Sequence, residues 1–104
     1  IGLERANLQG ANLHGANLRS ARLDNANLRA VDLTRANLCY ARLTHADLRD
    51  ACLQEADLTA ADLSHSQLQG AVLTGAKFDV YTTLPDGRHW TRVTDWSTFG
   101  VEMG

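Results

Sequence analysis

Leucine and alanine recur along this chain at a fixed spacing of five residues. From Ile1 to Val80 the sequence divides into sixteen blocks of five, and the third residue is Leu in fifteen of them, with Phe78 in the sixteenth. The first residue of the block is Ala in thirteen blocks, and the exceptions are Ile1, Val31 and Ser66. The second residue is often Asn or Asp, whereas the fourth and fifth vary. One pattern of apolar and polar positions therefore covers most of the chain.

A period of five fits neither an α-helix nor a flat strand. Five residues turn an α-helix by about 500°, so successive leucines would spiral around it and form no apolar stripe. In a strand the side chains alternate with a period of two, so an odd spacing sends successive leucines to opposite faces. The chain is therefore predicted to turn once in every block, which points each Leu and each Ala toward one common interior.

The blocks 6–10 (ANLQG), 16–20 (ANLRS) and 56–60 (ADLTA) carry the pattern A-(D/N)-L-x-x, and through it the chain resembles the bacterial pentapeptide-repeat family. The resemblance covers 80 of the 104 residues. It implies an all-β fold, a right-handed quadrilateral parallel β-helix with four blocks per turn and hence about four coils. Residues 1–80 are predicted to form this solenoid, in which residues twenty apart lie above one another in a column.

Residues 81–104 lack the repeat and are predicted to cap the C-terminal end of the solenoid. Residues 84–87 (LPDG) suit a tight turn, and Asp95 is predicted to cap one helical turn that runs to Phe99 and ends at Gly100. An open solenoid end would expose leucines and unpaired strand edges, so a cover is needed. The predicted capping residues are Phe78, Leu84, Trp90, Trp96 and Phe99.

The composition of the chain limits the kinds of partner that it can bind and the compartments in which it can occur. The net charge of -2 shows neither the basic excess of nucleic-acid binders nor a strong acidic excess, so no direct nucleic-acid partner is expected. No apolar run approaches the length of a membrane span or of a signal-peptide core, so no membrane partner is expected. Cys39 and Cys52 are predicted on different sides, where they cannot pair without distortion, which favours a reducing, cytoplasmic location. Because the chain opens with Ile1 rather than Met, we expect it to be part of a larger protein.

Four blocks per turn would give the solenoid four sides, and the first side collects the blocks 1–5, 21–25, 41–45 and 61–65. The candidate interaction surface lies there and consists of Arg22, Arg42, His45 and His65. One interpretation is an anion-binding strip. The other is a solvated surface in which Asp24 and Asp62 neutralise the arginines. No metal site is expected, because Asp62 is the one obvious third ligand beside the two histidines and zinc takes three or four.

Three further predictions concern side chains outside the first side. On the third side, Arg35 is predicted to pair with Glu55, which lies twenty residues later. On the fourth side, Cys39 and Tyr40 are predicted to point outward. Ser66, the polar residue in the Ala positions, is expected to hydrogen-bond a nearby carbonyl.

The sequence contains no combination of nucleophile, general base and cofactor loop, so neither catalysis nor a cofactor is expected. The functional hypothesis is a rigid, non-catalytic protein-interaction or scaffold module. Its partner would be a protein of unknown identity, or a second copy bound through a coil end. The alternative, implied by the family resemblance, is a DNA mimic that binds gyrase or a related topoisomerase. Such mimicry needs long acidic faces, whereas every side of this chain carries arginine.

Overall fold

Single-residue parallel bridges join positions twenty residues apart from one end of the repeat region to the other. The computed structural model describes residues 1–101 and 103. Within them, bridges link Gly2 to Arg22, Arg22 to Arg42, and Arg42 to Asp62, and equivalent bridges occur on the other three sides. No strand among the described residues is longer than one bridging residue, and the one helix is a 3₁₀ helix, Trp96–Phe99. We call residues 1–20, 21–40, 41–60 and 61–80 the first to fourth layers.

Backbone hydrogen bonds between and within the layers follow the five-residue repeat. The N–H of the third residue donates to a carbonyl nineteen residues later, as Leu23 does to Arg42 at 2.8 Å. The N–H of the second residue donates to a carbonyl twenty-one residues earlier, as Arg42 does to Ala21 at 2.9 Å. The fifth residue donates to the next layer, and the first donates to the third residue of the preceding block. Four of the five N–H groups of an interior block are thereby satisfied, as burial requires.

The remaining N–H group explains why Asn and Asp recur at the second position. In block after block the side-chain Oδ1 of this residue accepts the N–H of the fourth residue, as Asn37 does from Cys39 at 3.0 Å and Asp62 does from Ser64 at 2.9 Å. This contact is an Asx turn, which Asn and Asp form more readily than other residues. The same contact recurs in the tail, where Asp86 accepts from Arg88 and Asp95 from Ser97.

The fifth residue of each block makes the corner. From residue 5 to residue 75 it has a positive φ, between 55° and 78°, and eleven of these fifteen residues are not glycine. A positive φ is costly for residues with a Cβ, by roughly 1–2 kcal/mol each. The corners are therefore strained positions that the ladders on both sides hold in place.

We expect Ala30→Gly to stabilise the protein by about 0.5–1 kcal/mol, because Ala30 sits at φ 55° and glycine removes the penalty at a smaller entropic cost. The matched control is Ala26→Gly, at a buried first position with no positive φ, where a loss of stability is expected. Urea unfolding followed by circular dichroism measures both. The same sign of change in both variants would contradict this account of the corners.

The interior is filled by the leucines of the third position, with alanines beside them. In layers two to four every Leu is at most 1% exposed and most of the alanines are equally buried. In the first layer Leu3, Leu8 and Leu13 are only partly buried, because no layer lies below them. The apolar interior is thus continuous through the layers, and within the described residues the first layer is covered from one side only.

The pairing continues past residue 80, where the repeat pattern of the sequence ends. Thr82 is fully buried like the first-position alanines, Thr83 bridges to Asp62, and Leu84 is 2% exposed like the interior leucines. Thr83 follows Asp62 by twenty-one residues instead of twenty, so the chain takes up one extra residue before this block. The carboxylate of Asp79 fills the resulting gap, because it accepts the N–H of Ala60 at 3.0 Å.

The rest of the tail folds back over the fourth layer. After a tight turn closed by the N–H of Gly87 on the carbonyl of Leu84, the chain returns antiparallel, and His89 bridges to Thr83. The 3₁₀ helix Trp96–Phe99 follows, with Asp95 as its N-cap and Gly100, at φ 73°, as its C-cap. The expected tight turn, the helix N-cap at Asp95 and the helix end at Gly100 are therefore all present. Glu102 and Gly104 of the predicted capping segment lie outside the described residues.

Ser66 differs from its predicted role. Its Oγ is buried and has no hydrogen-bond partner among the described residues. The hydroxyl that does bond a buried carbonyl belongs to Thr82, whose Oγ1 donates to the carbonyl of Leu58 at 2.8 Å. The expectation for Ser66 was wrong because its small side chain, held at an alanine position, does not reach a free acceptor.

Ser66→Ala is expected to raise the free energy of unfolding by about 1–2 kcal/mol, because it removes a buried hydroxyl without a partner. Thr82→Val removes a buried hydroxyl that has its acceptor, so a loss of stability is expected there. Thermal and urea unfolding of the pair supply the comparison. A destabilised Ser66→Ala variant would mean that this hydroxyl has a partner in solution.

Candidate functional site

Each arginine of the first-side strip is paired with a carboxylate of the layer below. Arg22 lies 3.8 Å from Glu4, and Arg42 lies 3.1 Å from Asp24. Asp24 also accepts from the hydroxyl of Thr44 at 2.9 Å. The predicted neutralisation by Asp24 is confirmed, whereas Asp62 is bonded to the N–H and hydroxyl of Ser64 and has no ion pair with an arginine among the described residues. The arginines therefore reach diagonally to fourth-position carboxylates, and not along their own column.

The two histidines of the strip form a stacked pair. The ring centroids of His45 and His65 are 4.8 Å apart and the ring planes differ by 14°. Across residues 1–101 and 103, no group of three or more His, Cys, Asp or Glu side chains is arranged to hold a metal ion. The structure thus brings Arg22, Arg42, His45 and His65 onto one side. The arginines form one column and the histidines another, and each arginine has its own carboxylate partner.

The second and third sides carry their own ion pairs. Arg49 forms a bidentate contact with Asp47, with Nε at 2.8 Å and Nη2 at 2.6 Å from the two carboxylate oxygens. Arg35 donates to Glu55 at 3.2 Å, which confirms the predicted pair on the third side. The Arg35–Glu55 pair is largely solvent-exposed, so it contributes under about 1 kcal/mol, whereas the Arg49–Asp47 pair is partly buried. The second and third sides therefore carry charges of both signs.

Acidification is expected to destabilise the protein, because hydrogen bonds from Arg49 hold the pKa of Asp47 below its usual value. A carboxyl with a lowered folded-state pKa stabilises the fold at pH values above its unfolded value, about 4, and that contribution is lost as the pH falls through the folded value. The pKa values of Asp32, Asp57, Asp86 and Asp95 are lowered too. The urea midpoints of unfolding at neutral pH and near pH 3 test this prediction. The decrease in midpoint on acidification should be smaller for Asp47→Asn than for the unchanged chain. A midpoint that does not change with pH would contradict the prediction.

Cys39 is buried, which corrects the prediction of an exposed residue on the fourth side. It is 7% exposed, and burial together with the neighbouring carboxylate of Asp57 raises the pKa of its thiol. In layers two to four the fourth residue of a block is mostly half-buried, so a side chain as small as that of cysteine is covered by its neighbours. The thiol is therefore held protonated, which makes it a poor nucleophile. Cys52 is also unpaired, as expected from the different sides of the two cysteines.

The fourth side and the corner that ends it carry three exposed apolar residues, Tyr40, Val80 and Tyr81, which we call the tyrosine strip. These side chains are 53%, 60% and 69% exposed, and they are three of the six exposed large apolar residues of the described chain. Tyr40 lies in the second layer, whereas Val80 and Tyr81 lie at the end of the fourth layer. The guanidinium of Arg19 lies 4.8 Å from the ring centroid of Tyr40, a cation–π contact. The sequence interpretation placed Tyr40 on this side but missed the strip, because the extra residue before Thr83 is what leaves Val80 and Tyr81 at the corner.

Four of the five predicted capping residues, the aromatic ones, come together on the fourth layer. Phe78 stacks on Trp90 with centroids 6.0 Å apart and lies 4.7 Å from Trp96, which in turn meets Phe99 edge-on. Trp96 is 5% exposed, whereas Trp90 and Phe99 are half-buried. Beside this cluster a cavity of about 360 Å³ opens between the turn and the 3₁₀ helix, and Leu84, Arg88 and Asp95 contribute to its lining. The aromatic residues form one cluster, whereas Leu84 continues the interior leucine column of the first side beyond Leu63.

A family model described as a pentapeptide repeat region matches residues 1–78. The chain belongs to the pentapeptide repeat family. This confirms the resemblance drawn from the A-(D/N)-L-x-x blocks, and the family's repeat solenoid, a β-helix, agrees with the bridges between residues twenty apart. No curated protein matches the chain. No helix within the described residues is long and apolar enough to span a membrane.

Solved structures of this family are similar to the chain over nearly its whole length. The protein alr5209, a pentapeptide repeat protein from Nostoc Pcc 7120, is 36% identical with a TM-score of 0.78, over 99% of this chain and 80% of that one. A pentapeptide repeat protein of the Arabidopsis thaliana thylakoid lumen is 30% identical with a TM-score of 0.59, over 90% of this chain and 61% of that one. QnrB1, a plasmid-mediated fluoroquinolone resistance protein, is 16% identical with a TM-score of 0.53, over 98% of this chain and 65% of that one, which is a likeness of fold alone.

Proposed function

We propose that this chain is a rigid, non-catalytic module for protein interaction or scaffolding, built as four coils from residues 1–80 and capped by residues 81–104. The observation that carries the proposal is the ladder of backbone hydrogen bonds, which fixes every column of side chains at a constant spacing. Such a framework presents surface residues in a preorganised array, and a partner that binds it loses little entropy to ordering the surface. The packed leucine interior leaves the outer sides as the surface for recognition.

The tyrosine strip is the surface that best fits a protein partner. Tyr and Arg, with Trp, are the residues that most often carry binding energy at interfaces. Here Arg19 covers Tyr40, and two further exposed apolar side chains lie two layers above it. The first-side strip of Arg22, Arg42, His45 and His65 is the second surface that we propose. It binds an anionic group only in competition with Glu4 and Asp24, which already pair with its arginines.

The proposal can be tested by capturing partners from lysate of the source cells and identifying them by mass spectrometry. The partners captured by three variants are compared with those captured by the unchanged chain. Tyr40→Ser/Val80→Ser removes most of the tyrosine strip, Arg22→Glu/Arg42→Glu reverses the first side, and Val93→Ser is a control at a valine that is 89% exposed elsewhere. We expect at least one partner to bind the unchanged chain and the Val93→Ser control but not the tyrosine-strip variant.

Loss with the first-side variant alone would move the site to that side. Capture of DNA gyrase, together with inhibition of its supercoiling activity by the chain, would favour the alternative of a topoisomerase-binding DNA mimic. A partner that binds all variants equally, or no partner at all, would contradict both proposed surfaces.

A further inference from the structure

His45 and His65 lie one above the other at the corner that ends the first side. Their ring centroids are 4.8 Å apart, the ring planes differ by 14°, and both residues are exposed. Among the residues that the structure describes, neither ring forms an ion pair with a carboxylate. A positive charge that these histidines gain is therefore not cancelled by the chain itself and can be met by a partner.

The two histidines decide the net charge of the first side. Its four blocks carry three arginines and three acidic residues, which are Arg5, Arg22, Arg42, Glu4, Asp24 and Asp62. The net charge of this side is therefore zero with neutral histidines and +2 with both protonated. Histidine is the side chain that ordinarily changes charge between about pH 5 and 8. Mild acid therefore turns an electrically neutral side into a positive one.

The block that follows on the first side does not alter this balance. Asp86 takes the corner position above His65, since the N–H of His65 donates to the carbonyl of Pro85, the preceding residue, at 2.9 Å. The carboxylate of Asp86 lies 2.7 Å from Nε of Arg88. Hydrogen bonds from the backbone N–H and the guanidinium of Arg88 keep the pKa of Asp86 below its usual value. This carboxylate therefore stays ionised and paired in the pH range in which histidine gains its charge.

The spacing of the two rings matches that of carboxylates on one face of a helix. Side chains at positions i and i+4 of a helix have Cβ atoms about 5–6 Å apart, and the rings are 4.8 Å apart. Two imidazolium ions at this distance repel each other, so an anionic partner that contacts both favours their protonation. Glutamate side chains stay ionised down to about pH 4.3, so an acidic helix and the protonated pair coexist near pH 5.5.

A nucleic acid fits the same corner less well. Asn25 below the histidines is neutral and Asp86 above them is negative, so the added charge is limited to two neighbouring layers. Nucleic-acid binding depends on contacts with several phosphates along the backbone, which needs a longer positive track. The corner therefore favours a protein segment as the partner.

We infer that His45 and His65 make the first side a proton-dependent binding site for an acidic protein helix, bound in mild acid and released near neutral pH. The inference rests on the first-side surface of the proposed function, and it adds the chemistry of the partner and its regulation by pH. Arg22 and Arg42 contribute less, because a carboxylate of the partner must displace Glu4 or Asp24 from them.

Isothermal titration calorimetry with a helical, alanine-based peptide that carries glutamates at positions i and i+4 tests the inference. We expect the unchanged chain to bind this peptide at least about fivefold more tightly at about pH 5.5 than at about pH 7.5. His45→Asn/His65→Asn should abolish the difference between the two pH values. Asparagine is chosen because the two positions have φ values of 58° and 59°, which it tolerates. His14→Asn, at an exposed histidine of the third side, is the matched control and should keep the difference.

Nuclear magnetic resonance of the histidine rings gives a second readout. Because binding and protonation favour each other, the titration midpoints of His45 and His65 should move to higher pH when the peptide is present. The midpoint of His14 should not move. Circular dichroism at both pH values checks that the fold is unchanged.

The possible outcomes distinguish failure of this inference from failure of the first-side surface. Equal binding at both pH values that Arg22→Glu/Arg42→Glu abolishes would overturn the role of the histidines and leave the surface standing. Absence of binding at either pH would overturn the inference and the first-side surface together. Acid-dependent binding that His45→Asn/His65→Asn keeps would also overturn the inference. A DNA duplex that binds only in acid, where the peptide does not bind, would overturn the assignment to a protein helix.

Discussion

Leu48→Ala is expected to lower the free energy of unfolding by about 3–4 kcal/mol, within the range for a fully buried leucine that leaves a cavity. Leu48 is 0% exposed and lies in the third layer, with Leu28 and Leu68 in the same column below and above it. Neither neighbour can move to fill the space, because the backbone on both sides is held by the ladder. Urea unfolding at low protein concentration measures the loss.

The matched control for this substitution is Leu8→Ala in the same column. Leu8 lies in the first layer, is only partly buried, and faces solvent on the side away from Leu28. We expect Leu8→Ala to cost about 1–2 kcal/mol, because less apolar surface leaves water on folding and the site stays open. Equal losses for Leu8→Ala and Leu48→Ala would mean that the two leucines have similar surroundings in solution, against the structure.

Trp96→Ala is expected to lower the free energy of unfolding by about 3–5 kcal/mol. Trp96 is 5% exposed, and its ring contacts both Phe78 of the last repeat and Phe99 of the 3₁₀ helix. Its removal separates the tail from the fourth layer and leaves the leucines of that layer beside a cavity. The fluorescence of Trp90, which remains in the variant, follows unfolding in urea.

Trp90→Ala serves as the comparison for Trp96→Ala, because Trp90 is half-buried and contacts Phe78 at 6.0 Å. A loss of about 1–2 kcal/mol is expected for this variant. If Trp96→Ala costs no more than Trp90→Ala, the tail does not stabilise the end of the stack, and the proposed capping role of residues 81–104 fails.

The five-residue period was sufficient to predict the interior, because it points Leu3 and its counterparts toward one side of the backbone. The columns, and pairs within a column such as Arg35 with Glu55, followed from the four blocks per turn that the family resemblance implies. Local signals predicted the ends of the 3₁₀ helix, since Asp95 and Gly100 have the conformations that a cap requires. These features depend on backbone geometry, which the repeat and the turn residues determine.

Features that depend on side-chain reach or on a change of register could not be read from the period. Arg42 selects Asp24, a diagonal neighbour, because a long side chain can cross to the next column. The block that begins at Thr82 was missed because one extra residue shifts it, although Leu84 follows Leu63 by twenty-one positions. Cys39 is buried because its side chain is short at a position that is half-covered in the interior layers.

Residues twenty apart lie directly above one another in this structure, and a single engineered thiol tests this stacking. Asp32 bridges to Cys52, and parallel neighbours in adjacent strands are about 4.8 Å apart, within the range that a disulfide spans. With Cys39 replaced by alanine, Asp32→Cys should form an intramolecular disulfide with Cys52 on mild oxidation. Asn27→Cys, twenty-five residues from Cys52 and on another side, should not form one. Mass spectrometry of unreduced peptides that shows no disulfide in the Asp32→Cys variant, or equal amounts in both variants, would contradict the stacking.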